Sequence, residues 1–213
     1  MRTTQLLKTA LAGAAALLAA CNDSTGGSGT TTAGSLGFSY SGARAGSYSV
    51  SGVYRPRGNS FDKVPFAVGA RSQQPGQTVL AVLSYQPVTS TTGHMVLLGL
   101  PGATTIGSYD LADESCGTTG STDCPLALLV FDTNPDLEED DSEVFTFVSG
   151  TLNVTSVSNG RVAGSFSGTA ESFFGDAVIT VTNGTFDIPV RSSGVLANRA
   201  HAERLLSRAA KPE

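Results

Sequence analysis

The chain of 213 residues has no tryptophan, only two histidines and three cysteines, and charged residues make up just 15% of it. Each shortage closes off some chemistry. Glycan-cleaving enzymes usually hold sugars against broad aromatic surfaces, and tryptophan is missing from this chain. General acid–base catalysis wants a group that titrates near neutral pH. His201 lies in the C-terminal tail, and His94 sits in a Thr-Thr-Gly-His turn at the head of a strand, the place of a capping or surface histidine. Neither a Gly-x-Ser-x-Gly elbow nor a Gly-x-x-x-x-Gly-Lys-Ser/Thr phosphate loop occurs. A zinc site would want Cys-x-x-Cys or more histidine. The expectation is a protein that is not an enzyme and carries no cofactor, apart from the calcium weighed below. A glycan hydrolase using a carboxylate pair is the enzymatic alternative.

Positive charge is also scarce. The net charge is −5. Loss of residues 1–20 would take it to −7, since that segment contains Arg2 and Lys8 and no acidic residue. No basic stripe is present to follow a phosphate backbone, so no nucleic-acid partner is expected. After the first twenty residues no apolar run approaches the ~20 residues of a spanning helix.

What is present begins with Arg2 and Lys8, followed by the apolar run Ala10–Ala20, interrupted only by Gly13. A charged start, an apolar middle and a small-residue end make residues 1–20 a signal peptide. The run ends in Leu18-Ala19-Ala20-Cys21. All four positions resemble the lipobox of bacterial lipoproteins. The resemblance implies cleavage before Cys21, a diacylglycerol thioether on its sulfur, and acylation (palmitate or similar) of the new amino terminus. Two or three acyl chains make a stable anchor, at ~0.8 kcal/mol per buried methylene. The expected location is extracytoplasmic, at a bacterial membrane in the cell envelope, with the face left open. Residues 21–35 are then the lipidated cysteine and a Ser/Thr/Gly tether with too little apolar surface to order itself. Its root-mean-square span is roughly 20 Å.

Residues 36–192 read as an all-β domain. Leu36, Phe38 and Tyr40, then Tyr48, Val50, Gly52 and Tyr54, alternate with small polar residues, as half-buried strands do. Arg55–Asn59 reads as a loop. Thr78–Tyr85, Met95–Leu100 and Leu126–Phe131 are apolar on both faces, which suits strands buried on both sides. Val144–Val157 is long enough for two strands or one bent at Ser149-Gly150. Asn159-Gly160 is a hairpin signal, because both turn positions need φ > 0. Asn183-Gly184 reads as a second turn or a bulge, with the turn slightly favoured. The pattern predicts an antiparallel sandwich or barrel of about 8–10 strands and no repeat architecture. Residues 193–213 form a basic tail. Leu196, Ala200, Ala202, Leu205, Leu206 and Ala209 beside Arg199, Arg204 and Arg208 allow either a short helix or a frayed end.

With Cys21 lipidated, Cys116 and Cys124 remain. An exported chain meets an oxidising compartment, and the pair is expected to form a disulfide around a short Gly/Thr loop. Residues 132–143 hold seven of the eighteen acidic side chains. Asp132, Asn134, Asp136, Glu138, Asp140 and Glu143 fall at the oxygen-ligand positions of a calcium loop. Leu137 stands where the sharp turn requires Gly, and strands flank the loop, so a standard EF-hand is not expected. Two readings remain: a looser calcium site on a β-loop, or a solvated acidic loop that blunts strand aggregation.

In the C-terminal half, Val148–Val157, Asn159–Ala170 and Ile179–Ile188 resemble a family of uncharacterised β-rich bacterial lipoproteins. In that family a Gly-x-Phe-x-Gly/Ala hairpin strand precedes an Ile/Val-Thr-x-Gly-x-Phe-Asp strand. The resemblance implies an exported β-domain and carries no catalytic residues. The functional expectation is a lipid-anchored domain that binds a ligand, protein or glycan at the envelope. The alternative is a structural or surface-coat lipoprotein without a small-molecule ligand.

Overall fold

Alternating apolar and small polar residues bury one side of an extended chain and solvate the other, and only strand pairing then satisfies the backbone. In the computed structural model, which describes residues 32–57, 60–74, 77–101, 105–111, 125–133 and 142–192, that pairing yields twelve strands and no helix among the described residues. They are β1 (Gly34–Gly42), β2 (Gly46–Gly52), β3 (Pro56–Arg57), β4 (Ser60–Phe61), β5 (Phe66–Gln74), β6 (Gln77–Pro87), β7 (Gly93–Pro101), β8 (Gly107–Asp110), β9 (Leu126–Thr133), β10 (Glu143–Ser158), β11 (Arg161–Ser172) and β12 (Val178–Ser192).

Seven of them close into a barrel in the order β11-β10-β9-β7-β6-β5-β12, with β12 pairing back onto β11. Closure removes the exposed edges that open sheets must protect. Every ladder is antiparallel except β12–β5, which is parallel and only three residues long, Val190–Ser192 against Gly69–Arg71. Below that short contact the same edge of β12 pairs with β1, and β1 pairs with β2. The β1–β2 hairpin thus fills the space where β5 and β12 diverge. At Gly52 a Cβ would lie 1.9 Å from the Pro65 carbonyl oxygen, so the hairpin comes this close to the start of β5 only because that residue is glycine.

A second irregularity lies beside β10. Its Phe145–Ser158 edge belongs to β11. Its other edge carries β9 along Glu143–Thr146 and β8 along Thr151–Val154. β8 and β9 are therefore two halves of one line of barrel wall. The chain departs from that line after Leu111, whose N–H donates to the Gly150 carbonyl at 2.9 Å, and rejoins it at Leu126.

The interior is one apolar cluster fed by inward positions all round the wall, among them Leu80, Leu98, Leu129, Leu152, Ile179 and Phe186. Burying each such side chain stabilises by about 1.5–3 kcal/mol. Aromatic rings tie the hairpin into it. Phe38 stacks on Tyr48 at 5.1 Å and meets the edge of Phe166 at 5.7 Å. The Tyr48 hydroxyl, fully buried, pairs with Ser84 Oγ at 2.8 Å, so both polar groups are satisfied inside the barrel. Burial pushes the Tyr48 phenol well above its ordinary pKa.

The all-β reading and its three doubly apolar strands hold, as β6, β7 and β9. Asn159-Gly160 is the β10–β11 turn, with φ of 51° and 69°. Two expectations need correction, at Asn183-Gly184 and Arg55–Asn59, and the open choice for 144–157 falls to the single bent strand. Asn183-Gly184 is a bulge inside the single strand β12, where the register slips against both β1 and β11. A turn there would abandon two ladders at once. Gly184 is required because a Cβ would sit 2.3 Å from the Phe166 carbonyl oxygen. The 144–157 stretch is one strand, β10, bent by two register shifts and by Gly150 at φ 143°. Within the expected Arg55–Asn59 loop, Pro56–Arg57 pairs with Ser60–Phe61. Residues 1–31 and the tail 193–213 lie outside the described residues.

Candidate functional site

The chain enters the barrel at the start of β1. Arg161 holds it there, with Nη1 donating to the Ala33 carbonyl at 3.2 Å while Nε and Nη2 bind the Asp187 carboxylate and carbonyl at 2.8 and 3.0 Å. The opposite end, where β1, β6, β9 and β11 finish, lies about 30 Å away along nine residues of strand. A group of charged and ionisable side chains gathers at this far end.

Four chain segments meet there. Arg44, in the β1–β2 turn, donates from Nη2 to Asp132 Oδ2 at 2.6 Å, and its Nε lies 3.6 Å from Glu143 Oε2. Asp132 is near the end of β9 and Glu143 begins β10. His94, at the head of β7, accepts the Asp132 backbone N–H on Nδ1 at 3.2 Å. Phe131 forms the floor. Its ring carries the Arg44 guanidinium 4.9 Å above it, and the rings of His94 and Tyr40 lie 5.0 and 5.1 Å away.

A β-bulge makes this convergence possible. Between the Gly93↔Thr133 and Met95↔Val130 pairs, Phe131 and Asp132 together oppose His94. Asp132 takes φ 58°, a left-handed conformation that Asp tolerates better than most residues. One strand thereby offers His94 both an aromatic edge and an N–H.

The electrostatics follow from half-burial. Desolvation holds the His94 pKa below its ordinary value, against the pull of the Asp132 carboxylate. The neutral imidazole can therefore keep accepting on Nδ1. For Arg44, burial works against the charge. The Asp132 hydrogen bond and charge, with Glu143 and Tyr40 adding, outweigh it and raise the pKa. Arg44 Nη1 and Gln86 Oε1 are both shut off from solvent without a hydrogen-bond partner among the described residues. Gln86 is the cross-strand neighbour of His94. Buried groups of this kind usually have partners, so an orphaned donor and an orphaned acceptor at one barrel end mark a place where something else could bind.

Of the residues singled out by sequence, Asp132 and Glu143 come together, on neighbouring strands against Arg44. Asn134, Asp136, Glu138 and Asp140, between them, lie outside the described residues, as do Cys21, Cys116 and Cys124. Among the described residues no group of three or more His, Cys, Asp or Glu converges as metal ligands do. His94 is largely buried rather than a surface residue, with its side chain 15% exposed. Arg44 and Gln86 carried no sequence signal, and Phe131 stood out only as part of the apolar strand Leu126–Phe131. Arg44 sits 88 residues from Asp132, and only the barrel brings them together.

No family model, curated protein or solved structure matches the chain.

Proposed function

We propose that the chain is a lipid-anchored, extracytoplasmic β-barrel that binds a polar ligand, on a protein or glycan partner, at the barrel end remote from its tether. The observation that carries this reading is that two buried groups at this end, Arg44 Nη1 in the four-segment cluster and Gln86 Oε1 on the neighbouring β6, have no hydrogen-bond partner among the described residues. One asks for an acceptor and the other for a donor, as an amide or hydroxyl provides. The anchor rests on Leu18-Ala19-Ala20-Cys21. The polarity rests on Arg161, which fixes the tether side at Ala33 and leaves the Arg44 end facing away.

The anchor is tested by fractionation. Cys21→Ser should move the protein from membranes to the soluble phase, and a variant that stays in the membrane fraction sinks the lipoprotein reading. The site is tested by probing peptide and glycan arrays with that soluble variant. Expected is a ligand lost in Arg44→Gln but retained in Arg161→Gln. A ligand indifferent to Arg44 places binding elsewhere. Calcium is a separate question, because Arg44 already shares the Asp132 and Glu143 carboxylates and a second cation there meets repulsion. If calcium binds, a concentration ten times its Kd should raise Tm by about 3–4 °C, and more in Arg44→Gln. A Tm unmoved by calcium and chelator removes it as a ligand.

A further inference from the structure

Single exposed apolar side chains are common on proteins, and only their grouping carries meaning. Among the described residues the large exposed ones are Val64, Val88, Ile106, Val148, Phe174 and Val178. Val64, Val88, Phe174 and Val178 belong to the barrel end that carries the Arg44 cluster. Of these, Phe174 and Val88 stand furthest out, at 58% and 52% exposure. Phe174 lies in the β11–β12 turn and Val88 in the β6–β7 turn. Strands β10 and β9 separate the two turns one way round the barrel, and β1, β2 and β5 separate them the other way. The two tips therefore stand on opposite sides of this barrel end.

Both turns are braced. In the first, the Ser172 N–H donates to the Ala177 carbonyl at 2.8 Å and the Phe173 N–H to the Val144 carbonyl at 2.7 Å. Phe173 packs back against the wall, while Phe174 meets its ring edge-on at 5.3 Å and stays outside. The Ala43 N–H donates to the Val178 carbonyl at 2.9 Å, and Val144 follows Glu143. This turn is thus held between the two elements that supply Arg44 and Glu143. In the second turn, Thr89 Oγ1 accepts the N–H groups of Thr91 and Thr92 at 3.2 and 2.9 Å. Lys63 Nζ donates to the Thr91 carbonyl at 3.3 Å and brings the segment bearing Val64 beside it. Apolar tips on turns fixed before binding lose little freedom when a partner covers them.

We propose that this barrel end docks a polypeptide segment, whose apolar side chains cover Phe174 on one side and Val88 with Val64 on the other, while its amide groups serve Arg44 Nη1 and Gln86 Oε1. The proposal rests on the ligand reading above and narrows its partner from protein or glycan to protein. An amide offers a carbonyl to Arg44 Nη1 and an N–H to Gln86 Oε1. Hydroxyls of a glycan would answer the same two groups, but valine tips give a sugar no flat ring to lie on. Charge narrows the partner further. Asp62, Asp132, Glu143, Glu171 and Asp176 outnumber Arg44 and Lys63 on these elements, which favours a segment with Lys or Arg beside its apolar residues.

Selection from a displayed library of random short peptides, with the full mature chain carrying Cys21→Ser as bait, tests this. Expected are enriched peptides with apolar and basic residues whose affinity falls about tenfold or more in Phe174→Ser and in Val88→Ser. Phe174→Leu, which keeps an apolar tip, should retain most of the affinity. So should Ile106→Ser, beside β8 toward the tether end. No enrichment, or peptides that bind the Phe174→Ser and Val88→Ser chains as tightly as the parent, overturns the proposal. A glycan ligand that is lost in Arg44→Gln and indifferent to both tips also overturns it, and leaves the ligand reading standing. Peptides that need both tips but bind Arg44→Gln at full strength support the docking surface and overturn the ligand reading at its centre.

Discussion

The two halves of the barrel wall share one interior and differ outside. On β12, β1 and β2 the outward positions are Thr180, Thr182, Thr185 and Asp187, then Ser39, Ser47 and Ser49, all exposed. On β5, β6 and β7 they are Phe66, Val68, Leu83, Tyr85 and Leu97, all buried. The first half is a one-sided sheet and the second a two-sided one. A sequence alternates where only one face is covered and runs continuously apolar where both are. The contrast teaches that β5–β9 need a partner layer and that β12–β2 do not.

The largest break in that contrast comes from one substitution made on both sides. Leu83→Asp places a carboxylate among buried apolar side chains and should cost about 4 kcal/mol or more, enough to unfold most of the population. Thr182→Asp, outward on β12, should change stability by roughly 0.5 kcal/mol or less. Urea titration of both measures the difference, and similar losses would show that the two halves are not distinct. A smaller effect is expected where the hairpin meets the two-sided half. Tyr48→Phe strips Ser84 of its buried partner and should cost about 1 kcal/mol. Conversion of both residues, Tyr48→Phe with Ser84→Ala, should recover part of it. The smallest effect concerns pH. The His94 pKa is lower in the folded chain than in the unfolded one, so unfolding takes up a proton as pH falls through the unfolded value. The contribution of His94 is fully present above about pH 6.5 and declines below it. Between pH 7.5 and 5 the Tm should fall about 2 °C more for the parent chain than for His94→Gln. Equal pH profiles would show that His94 carries no proton linkage.

The same contrast explains what could be read from the sequence. Thr78–Tyr85, Met95–Leu100 and Leu126–Phe131 announce strands through their own composition, and they occupy β6, β7 and β9. Asn159-Gly160 and Asn183-Gly184 are locally alike, since each puts a left-handed Asn before Gly. Only the ladders on both edges of β12 decide that the second pair bulges where the first one turns. The site divides in the same way. Asp132 and Glu143 stood out through acidic spacing. Arg44 sits in an ordinary Gly-Ala-Arg-Ala-Gly turn, and Gln86 ends a strand; their role comes from long-range closure. His94 looked like a capping or surface residue because nothing nearby in sequence shows that a bulge will lay Phe131 against it.

The shared wall line of β8 and β9 gives the chain a natural seam. β8 is fixed to β10 through Thr151–Val154 and β9 through Glu143–Thr146, each by its own hydrogen bonds. Each half therefore holds its register through its own ladder to β10 and not through the other. Two fragments that met at this seam should each keep a ladder to the same strand, so the interior is expected to close around them as one.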